Sequence, residues 1–292
     1  MTNPPAVGQL VVARTRAELS AALEGTRAHA GRVALVPTMG ALHAGHAALV
    51  ATARSAMRAG DAVVVSVFVN PLQFAPGEDL DRYPRTFDAD LAVCADNGAD
   101  IVFAPSVEEV YPGGEPSVTV HPGPLGSVLE GTTRPGHYRG VLTVVAKLFG
   151  LVRPDLAVFG QKDYQQLVLV RRMAADLCMG VQVVGADTVR ETTGLAMSSR
   201  NSYLDPQDRA ASTALSRALR AGADLGHRGA GAVVSAAREV LAAEPRLHVD
   251  YLALTSVDLD DPPASGEARL LVAAVVGSTR LIDNTAVQLS PG

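Results

Sequence analysis

The sequence predicts an α/β fold. A doubly wound, Rossmann-like and mostly parallel sheet is expected over residues 1–187, and a smaller C-terminal α+β domain over residues 188–292. Three observations lead there. Apolar runs of strand length alternate with segments at helical spacing through the first two thirds of the chain. Residues 62–69 (AVVVSVFV) form a near-continuous, largely β-branched run, as a strand buried on both faces requires. After Arg190 the order changes to two helices followed by three strand-like runs.

In chain order, residues 33–36 (VALV) read as a strand and residues 47–59 as the following helix. The central strand is residues 62–69. Residues 87–97 carry a helix, with Gly98 at its end because glycine takes a left-handed cap without strain. Residues 99–104 are the next strand, closed by Pro105. Residues 117–120 are expected as a short extra strand between Pro- and Gly-rich turns. Residues 141–152 are an apolar helix that stops before Pro154, since the residue preceding a proline is pushed out of the helical region. Strand 156–159, helix 164–176 and strand 181–185 complete the alternation. Residues 187–203 form the junction, a place where clefts often develop. Asp205 then caps a helix with Pro206 at its first position. A second helix lies near residues 230–243, and strands are expected at 249–254, 269–276 and 280–289. The second domain, with the junction at its root, is expected to act as a lid.

Composition narrows the function. The chain has 292 residues, 48% of them hydrophobic, with no Trp, so Ala, Val and Leu must fill the core. Its 25 basic and 30 acidic residues give a net charge of -5, with no global pull toward nucleic acid or an anionic membrane. Cys94 and Cys178 lack metal-ligand spacing and read as buried free thiols. No basic stretch followed by an apolar segment opens the chain, and no apolar run reaches a membrane span, so a cytoplasmic protein is expected.

Five segments carry chemistry. Pro37–Thr38–Met39–Gly40–Ala41–Leu42–His43–Ala44–Gly45–His46 joins the first strand to its helix. Open parallel sheets bind ligands at such strand ends, and helix N-termini leave N–H groups for phosphate. Gly40 and Gly45 would let a ligand approach the backbone. Two His are too few for catalytic zinc. Asn70 and Gln73 follow the central strand, where Pro71 stops it. Gly160–Gln161–Lys162–Asp163 follows another strand: Lys162 offers a point charge, Asp163 either caps the helix or holds a ribose hydroxyl, and Gln166 lies one turn on. Met197–Ser198–Ser199–Arg200 places two hydroxyls and a guanidinium at the junction, either as an anion clamp or as a capped linker. In residues 130–138, Arg134 either meets a substrate carboxylate or serves a surface loop. Asp88 and Asp90 are possible metal neighbours, although solvated carboxylates at a helix start fit the macrodipole better.

These segments together resemble the pantothenate synthetase (pantoate–β-alanine ligase) family. The matching pieces are PTMGALHAGH, VSVFVNPLQF, YPRTFDADL, RPGHYRGVLTVV, FGQKDYQQL and GLAMSSRNSYL, in the family's order. The resemblance implies an ATP-dependent acid–amine ligase. Pantoate attacks the α-phosphate of ATP to give a pantoyl adenylate and pyrophosphate, and β-alanine then releases AMP. Mg²⁺ accompanies the ATP; the Mg²⁺ ligands stay unknown. Kinship with the HIGH-motif nucleotidyl transferases and a homodimer are implied as well. The implied catalytic residues are His43, His46, Lys162, Ser198, Ser199 and Arg200. Met39, Gly40, His43, Gly45, His46, Gly160, Lys162, Asp163, Val189 and Met197 would line the ATP site with Ser198–Arg200, the serines and arginine gripping the β- and γ-phosphates. Gln73, Gln166 and Asn70 would serve the pantoate site, Gln73 also lying near β-alanine. His46 takes the family's proton-donor position; at a helix N-terminus a neutral imidazole giving one N–H to phosphate fits the electrostatics.

Three positions depart from the family. Gln161 and Ala44 stand where Glu is common, and Tyr138 where Phe is frequent. The first puts a nucleotide-site role for that side chain in doubt. A nucleotidyltransferase acting on a phosphate ester is the competing enzyme class, disfavoured by Gln73 and Gln166, which suit a small hydroxy acid. A nucleotide sensor would not need the clamp. A nicotinamide dehydrogenase and a P-loop enzyme are disfavoured because their glycine motifs are absent.

Overall fold

The computed structural model describes residues 10–290. The chain divides into two compact units. One comprises the residues up to Gly160 together with Leu169–Ala186, and the other Gln161–Val168 with the residues from Asp187 onward. The short segment after the fifth strand of the large sheet thus groups with the C-terminal residues.

The first unit is built on six parallel strands: β1 Val11–Ala13, β2 Val33–Thr38, β3 Ala62–Val67, β4 Ile101–Phe103, β5 Leu156–Gly160 and β6 Gln182–Ala186. Their spatial order is β1-β4-β3-β2-β5-β6. The chain moves outward from β2 through β3 to β4, then returns to place β5 on the other side of β2. The order therefore reverses between β2 and β5, and ligands of such sheets gather outside the carboxyl ends at that point. Helices α1 (Arg16–Ala28), α2 (Ala44–Ser55) and α3 (Phe87–Asp96) supply the first crossovers. The short helices α4 (Val107–Val110) and α5 (Glu130–Thr133) precede α6 (His137–Val152), and α7 (Tyr164–Asp176) links β5 to β6. The apolar runs are buried on both faces: Val33 to Val36 and Ala62 to Val65 are all buried, and Ala34, Val36, Val63 and Val65 pack with Val50, Ala53, Cys94, Val102 and Val158.

The second unit carries α8 (Pro206–Asp224) and α9 (Ala230–Ala242), then the antiparallel sheet β7 (Leu247–Ser256), β8 (Gly266–Val276) and β9 (Thr279–Leu289). The Asp205 carboxylate accepts the N–H groups of Gln207 and Asp208 at 2.8 Å and so starts α8. Ala214, Leu215, Ala218 and Leu219 of α8, with Val233 and Ala237 of α9, pack on Leu270, Val272 and Ala274 of β8.

Several elements differ from the sequence expectation for identifiable reasons. Helix α2 begins earlier because His43 caps it, and α6 begins a turn earlier because Gly136, at φ +84°, admits the chain. Strand β1 and helix α1 are additional; the Thr15-x-x-Glu18 capping box that starts α1 was a usable signal. Residues 117–120 are not a strand. Val118 is 83% exposed, and the Val120 N–H goes to Thr143 Oγ1 rather than to a neighbouring strand. Cys94 is buried but Cys178 is exposed; both are free thiols. Burial, reinforced by the charge of Asp90, pushes the Cys94 thiol up to about 12, so it stays protonated and inert. Among the described residues no helix is long and apolar enough to cross a membrane.

Candidate active site

The turn after β2 is built from backbone conformations few residues adopt. Gly40 (φ +84°) and Ala41 (φ +52°) are both left-handed. For Ala41 this costs about 1 kcal/mol, so other contacts must hold it. Thr38 Oγ1 accepts the Gly40 N–H at 3.2 Å. The carboxylate of Asp90 accepts the N–H groups of Ala41 and Leu42 at 3.1 and 2.8 Å, and the Thr86 hydroxyl at 3.0 Å. Asp90 is buried, not solvated as its place at a helix start suggests. All three of these hydrogen bonds are made inside the protein.

The histidines form a reciprocal cap. His43 is the N-cap of α2, and its Nδ1 accepts the Gly45 N–H at 3.1 Å, while His46 Nδ1 accepts the His43 N–H at 3.3 Å. An Nδ1 that accepts carries no proton, so each neutral ring bears its proton on Nε2. The rings lie 4.2 Å apart, tilted by 44°. The cap thus sets both tautomers and gives two Nε2–H donors at the start of α2. Ala44 is exposed in the first turn of α2.

Gln73 reaches the same turn, its amide Nε2 donating to Met39 Sδ. Asn70, 1% exposed, supports Gln73 from beneath. Its Nδ2 donates to Gln73 Oε1 at 3.2 Å and to the Gly140 carbonyl at 3.1 Å; its Oδ1 accepts Tyr111 Oη–H at 2.8 Å and Leu72 N–H at 3.3 Å. Burial raises the Tyr111 hydroxyl above its ordinary range, which keeps it a donor. Gly140 must be glycine, because a Cβ there would lie against the Leu72 carbonyl and 2.7 Å from Gln73 N.

Arg134 is not available as a substrate carboxylate anchor. Its Nε and Nη2 pair with Glu78 at 2.8 and 2.7 Å, Nη2 also reaches the Gln73 carbonyl, and Nη1 donates to His137 Nε2 at 3.0 Å. Burial works to raise the Glu78 carboxyl, but Arg134 and the Ala75 N–H outweigh it and the net shift is downward. His137 Nδ1–H donates to the Gln73 carbonyl at 2.9 Å. Burial, helped by the Arg134 charge, lowers His137 from 6.5 to about 4. The unfolded chain therefore binds more protons at His137 between those values, and stability falls as pH drops from about 6.5 toward about 4, then levels off. Equilibrium unfolding followed between about pH 7 and pH 4 is expected to show a flatter acid slope for His137→Gln; an unchanged slope would count against this assignment.

In the second unit, Gln161–Asp163 is a 3-10 turn leading into α7. Asn284 Nδ2 donates to the carbonyls of Gln161 and Lys162, each at 2.9 Å, and its Oδ1 accepts Arg269 Nε–H at 2.8 Å. Gln161 bridges opposite charges: Oε1 accepts from Arg269 Nη2 and Nε2 donates to Asp187 Oδ1, both at 3.0 Å. Both ends of that side chain are thus engaged within the second unit. Lys162 Nζ lies 3.7 Å from Asp163 Oδ1. Gln166, partly exposed, follows one turn into α7.

Val189, Met197, Ser198, Ser199 and Arg200 share one loop. Met197 N–H donates to the Val189 carbonyl at 2.9 Å, and Arg190 and Ala196 form an antiparallel bridge. Ser198 Oγ accepts the Arg200 N–H at 3.3 Å and caps a 3-10 turn over Ser199–Tyr203. Arg190 pairs with both oxygens of buried Asp283 at 2.6 and 3.0 Å. Two successive residues of β9, Asp283 and Asn284, therefore anchor the Ser198–Arg200 loop and the Lys162 turn respectively. Asp90, Tyr111, Glu78, Arg269, Asp283 and Asn284 were not identifiable as supports in the sequence, because each acts on groups distant along the chain.

Comparisons with known proteins agree with this architecture. A family model described as pantoate-beta-alanine ligase matches residues 11–286. A pantothenate synthetase of a Nocardioides species is 62% identical over 287 residues, covering 96% of this chain and 86% of that relative. A crystal structure of pantothenate synthetase from Thermus thermophilus superimposes with TM-score 0.87 at 48% identity, covering 94% of this chain and 98% of that one. A Francisella tularensis pantoate-beta-alanine ligase, described as complexed with beta-gamma ATP and beta-alanine, matches with TM-score 0.79 at 29% identity over 97% of this chain and all of that one. With the doubly wound sheet, the paired-histidine turn and a family match along nearly its whole length, the chain belongs to the pantoate–β-alanine ligase family.

Proposed function

We propose that this chain condenses pantoate with β-alanine at the expense of ATP. The observation that carries the reading is the family match over residues 11–286, which includes every segment from the histidine turn to the Ser198–Arg200 loop. The Francisella relative, with its nucleotide and β-alanine, supports the choice of substrates.

The reaction runs in two steps in this reading. A pantoate carboxylate oxygen attacks the α-phosphorus of ATP, the bond to the bridging oxygen breaks, and pyrophosphate leaves. The β-alanine nitrogen then attacks the acyl carbon, loses a proton, and AMP departs. Both steps move negative charge onto phosphate oxygens, and fixed donors that meet this charge lower the barrier. His43 and His46 supply neutral N–H donors, Lys162 a point charge, and Ser198, Ser199 and Arg200 the grip on the β- and γ-phosphates. Met39, Gly40, Gly45, Gly160, Asp163, Val189 and Met197 are assigned to the ATP site. Gln73 and Gln166 orient pantoate, and Asn70 acts by holding Gln73.

Among the described residues no cluster of three or more His, Cys, Asp or Glu side chains is arranged to hold a metal ion. Mg²⁺ is assigned as the companion of ATP, carried mainly on its phosphates; no step is routed through it. The family reading extends to a cytoplasmic homodimer whose C-terminal domain serves as a lid.

The test is an incubation with ATP, pantoate and β-alanine, each omitted in turn. Amide product is expected only in the full mixture, and pyrophosphate also when β-alanine alone is left out. ATP turnover without amide, whatever amine is offered, would refute the reading.

A further inference from the structure

The turn that presents the histidines is held by a side chain from a different crossover. Asp90, 2% exposed, lies in the first part of α3, and its three partners are two backbone N–H groups of the turn and one hydroxyl. A buried carboxylate loses hydration that an apolar residue would not lose, so core packing alone does not explain it. Its value lies in what it selects. Oδ2 takes the N–H of Ala41 and Oδ1 that of Leu42, the residues between left-handed Gly40 and the His43 cap. Both N–H groups therefore point inward where the chain enters α2, and there His43 and His46 cap each other. Gly40 completes the fit, since a Cβ on it would come 3.0 Å from Asp90 Oδ2.

We propose that Asp90 is a positioning residue for the ligase reaction, fixing the Gly40–Leu42 turn so that the Nε2–H donors of His43 and His46 are set before the nucleotide arrives; this rests on the reading given above. Asp90 touches no reacting atom. Asp90→Asn keeps the size but turns an NH2 group toward N–H or hydroxyl donors, so one contact must break.

Amide formation and thermal unfolding would be measured for the wild type, Asp90→Asn, His46→Ala and the double variant. Asp90→Asn is expected to lower kcat by roughly 10- to 100-fold while remaining folded, because small displacements of positioned groups cost that much. KM for ATP is expected to change less than about threefold. The double variant is expected to stay within about threefold of His46→Ala, since both changes disable one turn. A wild-type kcat in Asp90→Asn, or losses that multiply in the double variant, would overturn the proposal. Should Asp90→Asn not fold, Thr86→Val decides: it removes one anchor of the carboxylate, a several-fold lower kcat at unchanged unfolding temperature supports the role, and an unchanged kcat overturns it. A wild-type protein that forms no amide refutes the ligase reading itself, and this role with it.

Discussion

His46→Ala is expected to slow amide formation by roughly 10²- to 10³-fold, the loss that follows removal of one preorganised donor from developing charge. The His46 ring has two tasks. Its Nδ1 accepts the His43 N–H, and its Nε2 carries the proton. Alanine removes both, so the Nε2–H donor disappears and His43 loses part of its cap. The fold is expected to survive, because the first turn of α2 keeps the His43 Nδ1 contact to Gly45 and the bond from Ala47 N–H to the His43 carbonyl. The unfolding temperature of the variant should therefore stay close to that of the wild type. Lys162→Ala is the companion test in the second unit and is expected to show a loss of the same order. Near-normal pyrophosphate release by both variants would remove these residues from the phosphate site.

Gly140→Ala is expected to destabilise the first unit by roughly 3 kcal/mol, at the upper end of ordinary overpacking costs. Its Cβ would meet backbone, the Leu72 carbonyl and Gln73 N at 2.7 Å, rather than a side chain free to rotate away. Either α6 or the Asn70–Gln73 turn must then move. The turn is tied to Tyr111, Glu78, Arg134 and His137, so the displacement spreads through buried hydrogen bonds. A drop in melting temperature of about 5–10 °C should follow, with weaker pantoate use because Gln73 shifts. A variant that melts like the wild type would mean that α6 yields freely at this position.

The large sheet was legible because its strands are buried on both faces and read as unbroken apolar runs, from VALV at Val33 to AVVVSVFV at Ala62. The antiparallel strands of the second unit were legible in number and order, but each proved longer than its apolar centre. Helix starts were less visible. The cap of α2 is a histidine and that of α6 a left-handed glycine, neither a strong start signal alone. Strand β1 has only three residues, too few for a period to emerge. Among the site residues, those at strand ends could be found by pattern, since the sheet delivers them there. Their supports could not. Asp90 works through backbone N–H groups 48 and 49 positions away, and Asn284 through carbonyls 123 and 122 positions away. Arg134 looked like an available cation because its partner, Glu78, lies 56 residues earlier.

The amide at position 161 has an electrostatic consequence. An amide can face a cation and an anion together; a carboxylate can satisfy only the first. A glutamate here would keep the tie to Arg269 and set a second negative charge about 3 Å from Asp187. Gln161→Glu would therefore turn the contact with Asp187 from a hydrogen bond into a repulsion.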